Sequence, residues 1–178
     1  MGRDTHTLRR LIRSIPDFPK PGIVFRDITT LLQDAGALRR TVRQMADAFR
    51  DDRVDLVAAV ESRGFIFGAA VAVELGAGFV PIRKPGKLPA ETTSETYELE
   101  YGTDTIEIHT DAVRPGQRVL MVDDLLATGG TMAAACRLVE TLGGAIVGIA
   151  FLIELEFLNG RSRLGDHRIV SLVGYDAD

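Results

Sequence analysis

The segment VLMVDDLLATGGT, residues 119–131, carries the strongest local signal in the chain. Its four leading apolar residues are typical of a strand that is buried on both faces of a parallel sheet. Asp123 and Asp124 follow, at the carboxyl end of that strand, where open α/β sheets bind ligands. A short loop then leads into a stretch with helical spacing of apolar residues. The segment therefore predicts a strand, a ligand-binding loop and a helix in succession.

The loop after the acids has the composition of a phosphate-binding loop, with the sequence Ala127, Thr128, Gly129, Gly130, Thr131. The glycines allow backbone N–H groups to approach a ligand without Cβ contacts, and the following helix N-terminus favours an anion. The threonine hydroxyls are further donors. Because carboxylates repel phosphate, the neighbouring acids indicate a ligand with hydroxyls beside its phosphate, or one that brings a cation. A ribose 5-phosphate meets both conditions.

Two other nucleotide-binding patterns do not occur in the sequence. It contains neither G-x-x-x-x-G-K-[ST] nor G-x-G-x-x-G after a predicted strand. A simpler alternative remains, in which Asp123 and Asp124 cap a turn and the two glycines only begin a helix.

The rest of the chain predicts a single α/β domain over residues 1–178, with a central, mainly parallel sheet flanked by helices. Short apolar runs typical of buried strands occur at VDLVAAV (54–60), GAGFVPIR (76–83), AIVGIAFLI (145–153) and HRIVSLVGY (167–175), and TDTIEIHTDAV (103–113) alternates like a half-exposed strand. Apolar helical patterns separate most of these runs. Strands that alternate with helices in this way favour parallel pairing.

The N-terminal and central polar regions are less regular. Residues 5–14 predict an amphipathic helix that ends before Pro16, and the proline-rich stretch after it predicts a stiff, extended loop. Asp34 is a candidate cap for a second helix. Residues 84–100, KPGKLPAETTSETYELE, lack strong periodicity and predict a long irregular loop; such loops are usually functional lids or disordered.

Composition excludes several classes of function. The net charge of −4, from 25 acidic and 21 basic residues, argues against a nucleic-acid binder. The longest apolar stretch, residues 143–153, is far shorter than the ~20 residues of a membrane-spanning helix. A single cysteine, Cys136, cannot form an internal disulfide, and the N-terminus lacks a secretory pattern. We therefore expect a cytoplasmic protein.

The segment at residues 119–131 resembles the phosphoribosyl-diphosphate (PRPP) binding motif of type I phosphoribosyltransferases. Further segments are similar to the adenine-specific members of that family: FPKPGIVFRDIT (18–29), ESRGFIFG (61–68), RKPGKLP (83–89) and YELEYGTDTIEIHTDAV (97–113). The resemblance is collinear from about residue 8 to 150, and the chain has Thr30 where the family often has proline.

The resemblance implies an architecture and an activity. The expected fold is the type I phosphoribosyltransferase fold, with a small hood over about residues 1–35 and a flexible lid over about 84–101. The expected reaction is adenine plus PRPP giving AMP plus diphosphate in purine salvage. Mg²⁺ is expected as a cofactor carried mainly by PRPP and diphosphate oxygens, since Mg²⁺ uses few protein ligands. A homodimer is also implied.

The resemblance assigns roles at the sugar and the diphosphate. The loop at 127–131 would hold the 5-phosphate, and Asp123 and Asp124 the ribose hydroxyls, where carboxylates also suit a cation-like transition state. Ser62, Arg63 and Lys84 would bind diphosphate, next to a cis peptide bond expected between Glu61 and Ser62. The alternative for Arg63 is an ordinary surface cation.

The resemblance also assigns the base pocket. Glu100 would accept the proton that adenine loses, with Tyr101 beside it. Backbone groups of Val24 and Arg26 would read the 6-amino edge, and Phe25 would stack on the ring. The alternatives are that Glu100 is a solvated loop acid and that Phe25 plugs the core.

Two rival functions remain at this stage. The first is another base specificity, xanthine or hypoxanthine-guanine, and the segments FPKPGIVFRD and ELEYG argue against it. The second is a non-catalytic PRPP-sensing regulator of the same fold. Such a regulator needs an added nucleic-acid surface, for which this chain has neither spare length nor a basic excess.

Overall fold

The computed structural model describes residues 7–98 and 102–177, in which strands and helices alternate. The strands are β1 Arg13–Ile15, β2 Phe25–Asp27, β3 Leu56–Val60, β4 Gly78–Ile82, β5 Thr92–Glu98, β6 Thr103–His109, β7 Arg118–Leu126, β8 Ala145–Leu155 and β9 Ile169–Tyr175. The helices are α1, whose described part is residues 7–10, α2 Thr29–Gln33, α3 Ala35–Asp47, α4 Arg63–Leu75 and α5 Gly130–Thr141. Short 3₁₀ turns lie at Arg50–Asp52, Glu156–Leu158 and Gly160–Arg163.

The central sheet has the strand order β4-β3-β7-β8-β9, and all its pairs are parallel. The predicted mainly parallel sheet is thus confirmed. From β3 the chain first adds β4 on one side, and β7, β8 and β9 then continue on the other side. The direction therefore switches between β3 and β7, which is where open sheets of this kind form a ligand crevice.

Two apolar layers cover the sheet. Helices α3 and α4 pack on one face, in a cluster that includes Phe49 and Phe67. Helix α5 and the β5–β6 hairpin cover the other face, with Met121 and Phe151 in the core. Because both faces are buried, β3 and β7 are continuously apolar before their ends, as their sequences predicted.

Local signals located most helices and strands correctly. The Asp34 carboxylate caps α3 by accepting a hydrogen bond of 2.8 Å from the Ala37 N–H. The apolar residues at helical spacing after the phosphate loop form α5, in which Met132, Ala135 and Cys136 are buried. Burial also raises the pKa of the Cys136 thiol to about 12. Within the described ranges, no helix has both the length and the apolar character needed to cross a membrane.

The helix predicted for residues 5–14 is wrong at its C-terminal end. Helical structure stops at residue 10, and β1 pairs antiparallel with β2. The Arg13 Nε–H donates to Asp27 Oδ2 over 2.9 Å, which fastens the two strands together. Thr30, the position where the family often has proline, donates its hydroxyl to the Leu11 carbonyl over 2.6 Å. Residues 11–15 are therefore not helical, despite their helical spacing of apolar residues, because they pair with residues distant in the chain.

The prediction of an irregular loop over residues 84–100 is also wrong in part. Strand β5 pairs antiparallel with β6, from Thr92 opposite His109 to Glu98 opposite Thr103. The sequence of β5 is almost entirely polar because most of its side chains are at least partly exposed. Tyr97 is the exception and is buried. A strand with one buried side chain has no apolar alternation to reveal it.

Gly148 allows the aromatic core to close against the sheet. The ladder between β7 and β8 skips one residue there, with Val119 opposite Ile146 and Leu120 opposite Gly148. A Cβ on Gly148 would lie 2.3 Å from Cε1 of the fully buried Phe49 ring. The Phe49 ring therefore occupies the space that a side chain at position 148 would need.

Gly148→Ala is therefore expected to lower the free energy of unfolding by roughly 1–3 kcal/mol through overpacking, measured by urea denaturation. Arg39→Ala is the control, because Arg39 is exposed on α3 and its truncation should change stability by less than about 0.5 kcal/mol. Equal midpoints for the two variants would contradict the packing of Phe49 on Gly148.

Candidate active site

A cavity of 510 Å³ opens at the carboxyl ends of β3 and β7, where the sheet direction switches. The structure brings together there ten of the residues singled out from the sequence: Ser62, Arg63, Lys84, Asp123, Asp124, Ala127, Thr128, Gly129, Gly130 and Thr131. They come from three segments that are far apart in the chain. The parallel pairing of the strands has placed their following loops at one edge.

The glycine-threonine loop turns sharply into α5. Gly129 has φ +82°, and a Cβ there would lie 2.4 Å from the carbonyl oxygen of Gly160. Only glycine fits both the backbone conformation and this close approach. Helix α5 begins at Gly130 and has no acidic side chain in its first turn. The helix N-terminus is therefore open to an anion in the cavity.

The acid pair belongs to the last part of β7, which continues to Leu126 instead of ending before the acids. The Asp124 N–H donates to Asp123 Oδ1 over 2.8 Å. Asp124 is buried, and its Oδ2 lies 2.7 Å from Arg63 Nε. The Nε–H does not point at this oxygen, which accepts no hydrogen bond from the described residues. Arg63 and Asp124 thus form an ion pair without a well-directed hydrogen bond.

Burial sets the electrostatics of this pair. It raises the pKa of the Asp123 carboxyl well above its ordinary value, and the neighbouring Asp124 charge raises that pKa further. Burial also raises the pKa of Asp124, against the opposing effect of Arg63. Two negative charges are therefore unfavourable here until a cation or hydroxyl donors arrive. A ligand that develops positive charge beside the pair would relieve this cost.

Tyr97 and Asp104 line the same cavity and were not singled out from the sequence. Asp104 forms an ion pair with Lys84, and the Tyr97 hydroxyl donates to the Asp104 carboxylate over 3.2 Å. Thr131 in turn donates to the Tyr97 hydroxyl over 3.1 Å. The hydrogen bond from Lys84 holds the pKa of Asp104 below its ordinary value. This network joins the phosphate loop to the β5–β6 hairpin.

One feature of the structure relates Tyr97 to Asp104 and could have indicated that both belong to the site. They lie directly opposite each other in the hairpin, on either side of the segment ELEYG. This pairing could not be predicted, because the polar sequence of β5 does not indicate a strand.

The hood residues lie beside the cavity and do not form its wall. The Arg63 guanidinium carbon is 5.3 Å from the centroid of the Phe25 ring, which also packs edge-on against Phe18. The Arg26 side chain is buried, stacks over Tyr175 at 4.1 Å and donates to Ser14 Oγ over 2.6 Å. Its guanidinium therefore has a structural role.

The remaining features of this region are the Glu61–Ser62 peptide bond, the partner of Arg83 and the predicted pair Glu100 and Tyr101. The cis peptide bond between Glu61 and Ser62 is confirmed. Arg83 Nε donates to the Glu61 carboxylate over 2.6 Å, so this cation already has a partner. Glu100 and Tyr101 lie outside the described residues, and their roles stay predictions.

Comparison with known proteins identifies the family to which this fold and cavity belong. The family model of the phosphoribosyl transferase domain matches residues 28–173. An adenine phosphoribosyltransferase of Koribacter versatilis is 59% identical over 96% of this chain and 93% of its own length. The crystal structure of the Thermoanaerobacter pseudethanolicus adenine phosphoribosyltransferase has a TM-score of 0.93 at 57% identity, covering 96% of this chain and 99% of that one.

A further solved structure comes from Saccharomyces cerevisiae. This adenine phosphoribosyltransferase, in complex with adenine and an imino-altritol bisphosphate, has a TM-score of 0.91 at 39% identity, with 97% of this chain and 99% of that chain covered. The fold and the site together define a phosphoribosyltransferase. The chain belongs to the adenine phosphoribosyltransferase family.

Gly64, in the first turn of α4, leaves room for the Asp123 carboxylate. A Cβ on Gly64 would lie 2.7 Å from Asp123 Oδ1. Gly64→Ala is therefore expected to displace this carboxylate and to lower kcat/KM for PRPP by roughly tenfold to a hundredfold, measured by steady-state kinetics.

Gly68→Ala in the same helix is the matched control. Its Cβ would meet the Ala59 side chain at 2.6 Å, outside the cavity, so it should lower stability and leave the kinetics of the folded enzyme unchanged. Equal kinetic losses in both variants would show that Gly64 acts through the helix and not through Asp123.

Proposed function

We propose that the chain transfers the 5-phosphoribosyl group of PRPP to adenine, giving AMP and diphosphate in purine salvage. One observation carries the reaction type: the carboxylates of Asp123 and the buried Asp124 lie beside an anion-accepting loop in one cavity. The names of the relatives carry the choice of base, together with the adenine bound in the Saccharomyces cerevisiae structure.

A ribose 5-phosphate has a phosphate for the loop and hydroxyls for the neighbouring acid pair. Backbone groups and threonine hydroxyls of residues 127–131 would bind the 5-phosphate, because the N-terminus of α5 attracts an anion. Asp124 Oδ2, whose ion pair with Arg63 lacks a hydrogen bond, would accept a ribose hydroxyl. As diphosphate leaves, the sugar gains positive charge, and Asp123 and Asp124 would stabilise it.

Diphosphate would bind on the opposite side of the cavity. Arg63 can exchange its misaligned contact with Asp124 for a two-pronged interaction with phosphate oxygens. Ser62 supplies a hydroxyl, and Lys84 a positive charge that Asp104 holds in place. Both cations are now paired with acids of the cavity, Arg63 with Asp124 and Lys84 with Asp104, and a diphosphate would compete for them while the sugar took the acids.

Mg²⁺ is proposed as the cofactor, bound mainly through substrate oxygens. Among residues 7–98 and 102–177, no cluster of three or more His, Cys, Asp or Glu side chains could hold a metal ion. Asp123 and Asp124 are the carboxylates available beside the substrate. This donor set fits an ion that keeps water and phosphate ligands. When bound, Mg²⁺ neutralises charge on the departing diphosphate.

Adenine would lie under the hood. The backbone of Val24 and Arg26 would read its 6-amino edge, and Phe25 would stack on the ring, close to Arg63. Glu100 would take the ring proton and Tyr101 would lie nearby. The β5–β6 hairpin, which leads into this segment, is joined to the phosphate loop through Tyr97. Binding of the 5-phosphate and closure over the base would thus be linked.

We further propose a homodimer in the cytoplasm, as the family resemblance implies. On α4, Ile66 is 41% and Val73 is 83% exposed. The two residues are seven positions apart and therefore lie on the same face of the helix. Such an apolar face is typical of a surface that another subunit covers.

The reaction is tested by incubating the protein with PRPP, Mg²⁺ and, separately, adenine, hypoxanthine, guanine and xanthine. We expect AMP as the sole nucleotide, quantified by chromatography. Formation of another nucleotide would keep the reaction type and contradict the base assignment. Binding of PRPP without any product would instead favour a sensing regulator.

The proton acceptor is tested by comparing Glu100→Gln with Glu98→Gln, its neighbour two residues earlier. Glu100→Gln is expected to lower kcat by roughly a hundredfold with a smaller change in adenine affinity, because only proton transfer is lost. Glu98→Gln should stay near the wild-type rate. A larger loss from Glu98→Gln would move the role to that residue.

A further inference from the structure

The C-terminal 3₁₀ turn Gly160–Arg163 packs directly against the outer side of the phosphate loop. A Cβ on Gly160 would lie 2.2 Å from the carbonyl oxygen of Ala127, and one on Gly129 would lie 2.4 Å from the carbonyl oxygen of Gly160. The two backbones therefore touch without intervening side chains. Any group carried by this turn has a defined position relative to the loop.

An ion pair from the sheet holds the turn in place. Arg161 donates from Nε and Nη2 to the two carboxylate oxygens of Glu154, each over 2.6 Å. Glu154 lies near the end of β8 and is buried. Leu164, just after the turn, is buried as well and anchors its other end. The turn is thus a rigid support for the loop.

Arg163 is the side chain that this support brings to the loop. Its Nη1 lies 3.4 Å from the position of a Cβ on Gly130, and its own Cβ lies 3.4 Å from the position of a Cβ on Gly129. The Glu98 carbonyl oxygen is also 3.4 Å from the position of the Gly130 Cβ. The guanidinium therefore lies where α5 begins and where the β5–β6 hairpin meets the loop.

The charge of Arg163 is uncompensated in the described part of the chain. Arg163 also borders a small cavity of 150 Å³, in which Arg137 pairs with Glu95 at 2.6 Å and Glu140 lies 3.5 Å from the His167 ring. Arg163 itself forms no ion pair or side-chain hydrogen bond with residues 7–98 and 102–177. Arg163 is exposed to solvent, and a cation near the positive end of a helix is mildly unfavourable there, so an anion bound at the loop would be favoured by both charges.

We propose that Arg163 is a positioning residue for the 5-phosphate, which it stabilises from behind the loop by its charge. This inference rests on the proposed function and extends it to a part of the chain outside the main cavity. The positive end of α5 and the guanidinium act on the same anion from adjacent directions. Ligands that carry the 5-phosphate, namely PRPP, AMP and ribose 5-phosphate, depend on Arg163, and free diphosphate does not.

The test compares the binding of ribose 5-phosphate and of diphosphate with Mg²⁺, by calorimetry, in wild type, Arg163→Gln and Arg163→Lys. Arg163→Gln should weaken ribose 5-phosphate binding by roughly three- to tenfold at low salt, the effect of one charge a few ångströms beyond contact. Diphosphate affinity should stay unchanged. Arg163→Lys should restore most of the loss, and added salt should reduce the difference.

Arg39→Gln is the matched control. It removes the same charge from α3, on the opposite face of the sheet, and should change neither affinity. Unchanged ribose 5-phosphate binding in Arg163→Gln would overturn the inference, and so would an equal loss of diphosphate binding or a failure of lysine to rescue. If the wild-type protein did not bind ribose 5-phosphate at all, the proposed function would fail first.

Discussion

The parallel pairing of β3 with β7 is the constraint on which the rest of the site depends. Leu56 lies opposite Val119 and Ala59 opposite Val122, so both strands end at the same edge of the sheet. Gly64 allows the first turn of α4 to approach the end of β7 closely, since a Cβ there would lie 2.7 Å from Asp123 Oδ1. This close packing places the Arg63 guanidinium beside the Asp124 carboxylate.

The site is assembled around charges that are not fully satisfied within the protein. Burial raises the pKa values of Asp123 and Asp124, and Arg63 pairs with Asp124 without a well-directed hydrogen bond. Such groups are costly in an empty cavity and gain from a ligand that carries the opposite charges. In the empty site the cations therefore pair with acids, Arg63 with Asp124 and Lys84 with Asp104, and a sugar diphosphate would offer both cations a phosphate partner instead.

Two distant parts of the chain contact the phosphate loop, and a third contacts another residue of the same cavity. Tyr97, from the β5–β6 hairpin, accepts a hydrogen bond from Thr131. The C-terminal turn contacts Gly129 through Gly160. The hood reaches the same cavity through the contact of Phe25 with Arg63. The loop is thus fixed from several sides, which is what a preorganised anion site requires.

The sequence alone determined the strands of the parallel sheet, the capped helix at Asp34 and the loop after Asp123 and Asp124. These features depend on local patterns: continuous apolar runs, a capping carboxylate and glycines that release the backbone. Only the tertiary structure decided that residues 92–98 form a strand, that Tyr97 and Asp104 line the cavity and that Arg163 lies behind the loop. These three features depend on contacts between residues distant in the chain or on a strand that is mostly polar. Such contacts and such strands leave no periodic pattern in the sequence.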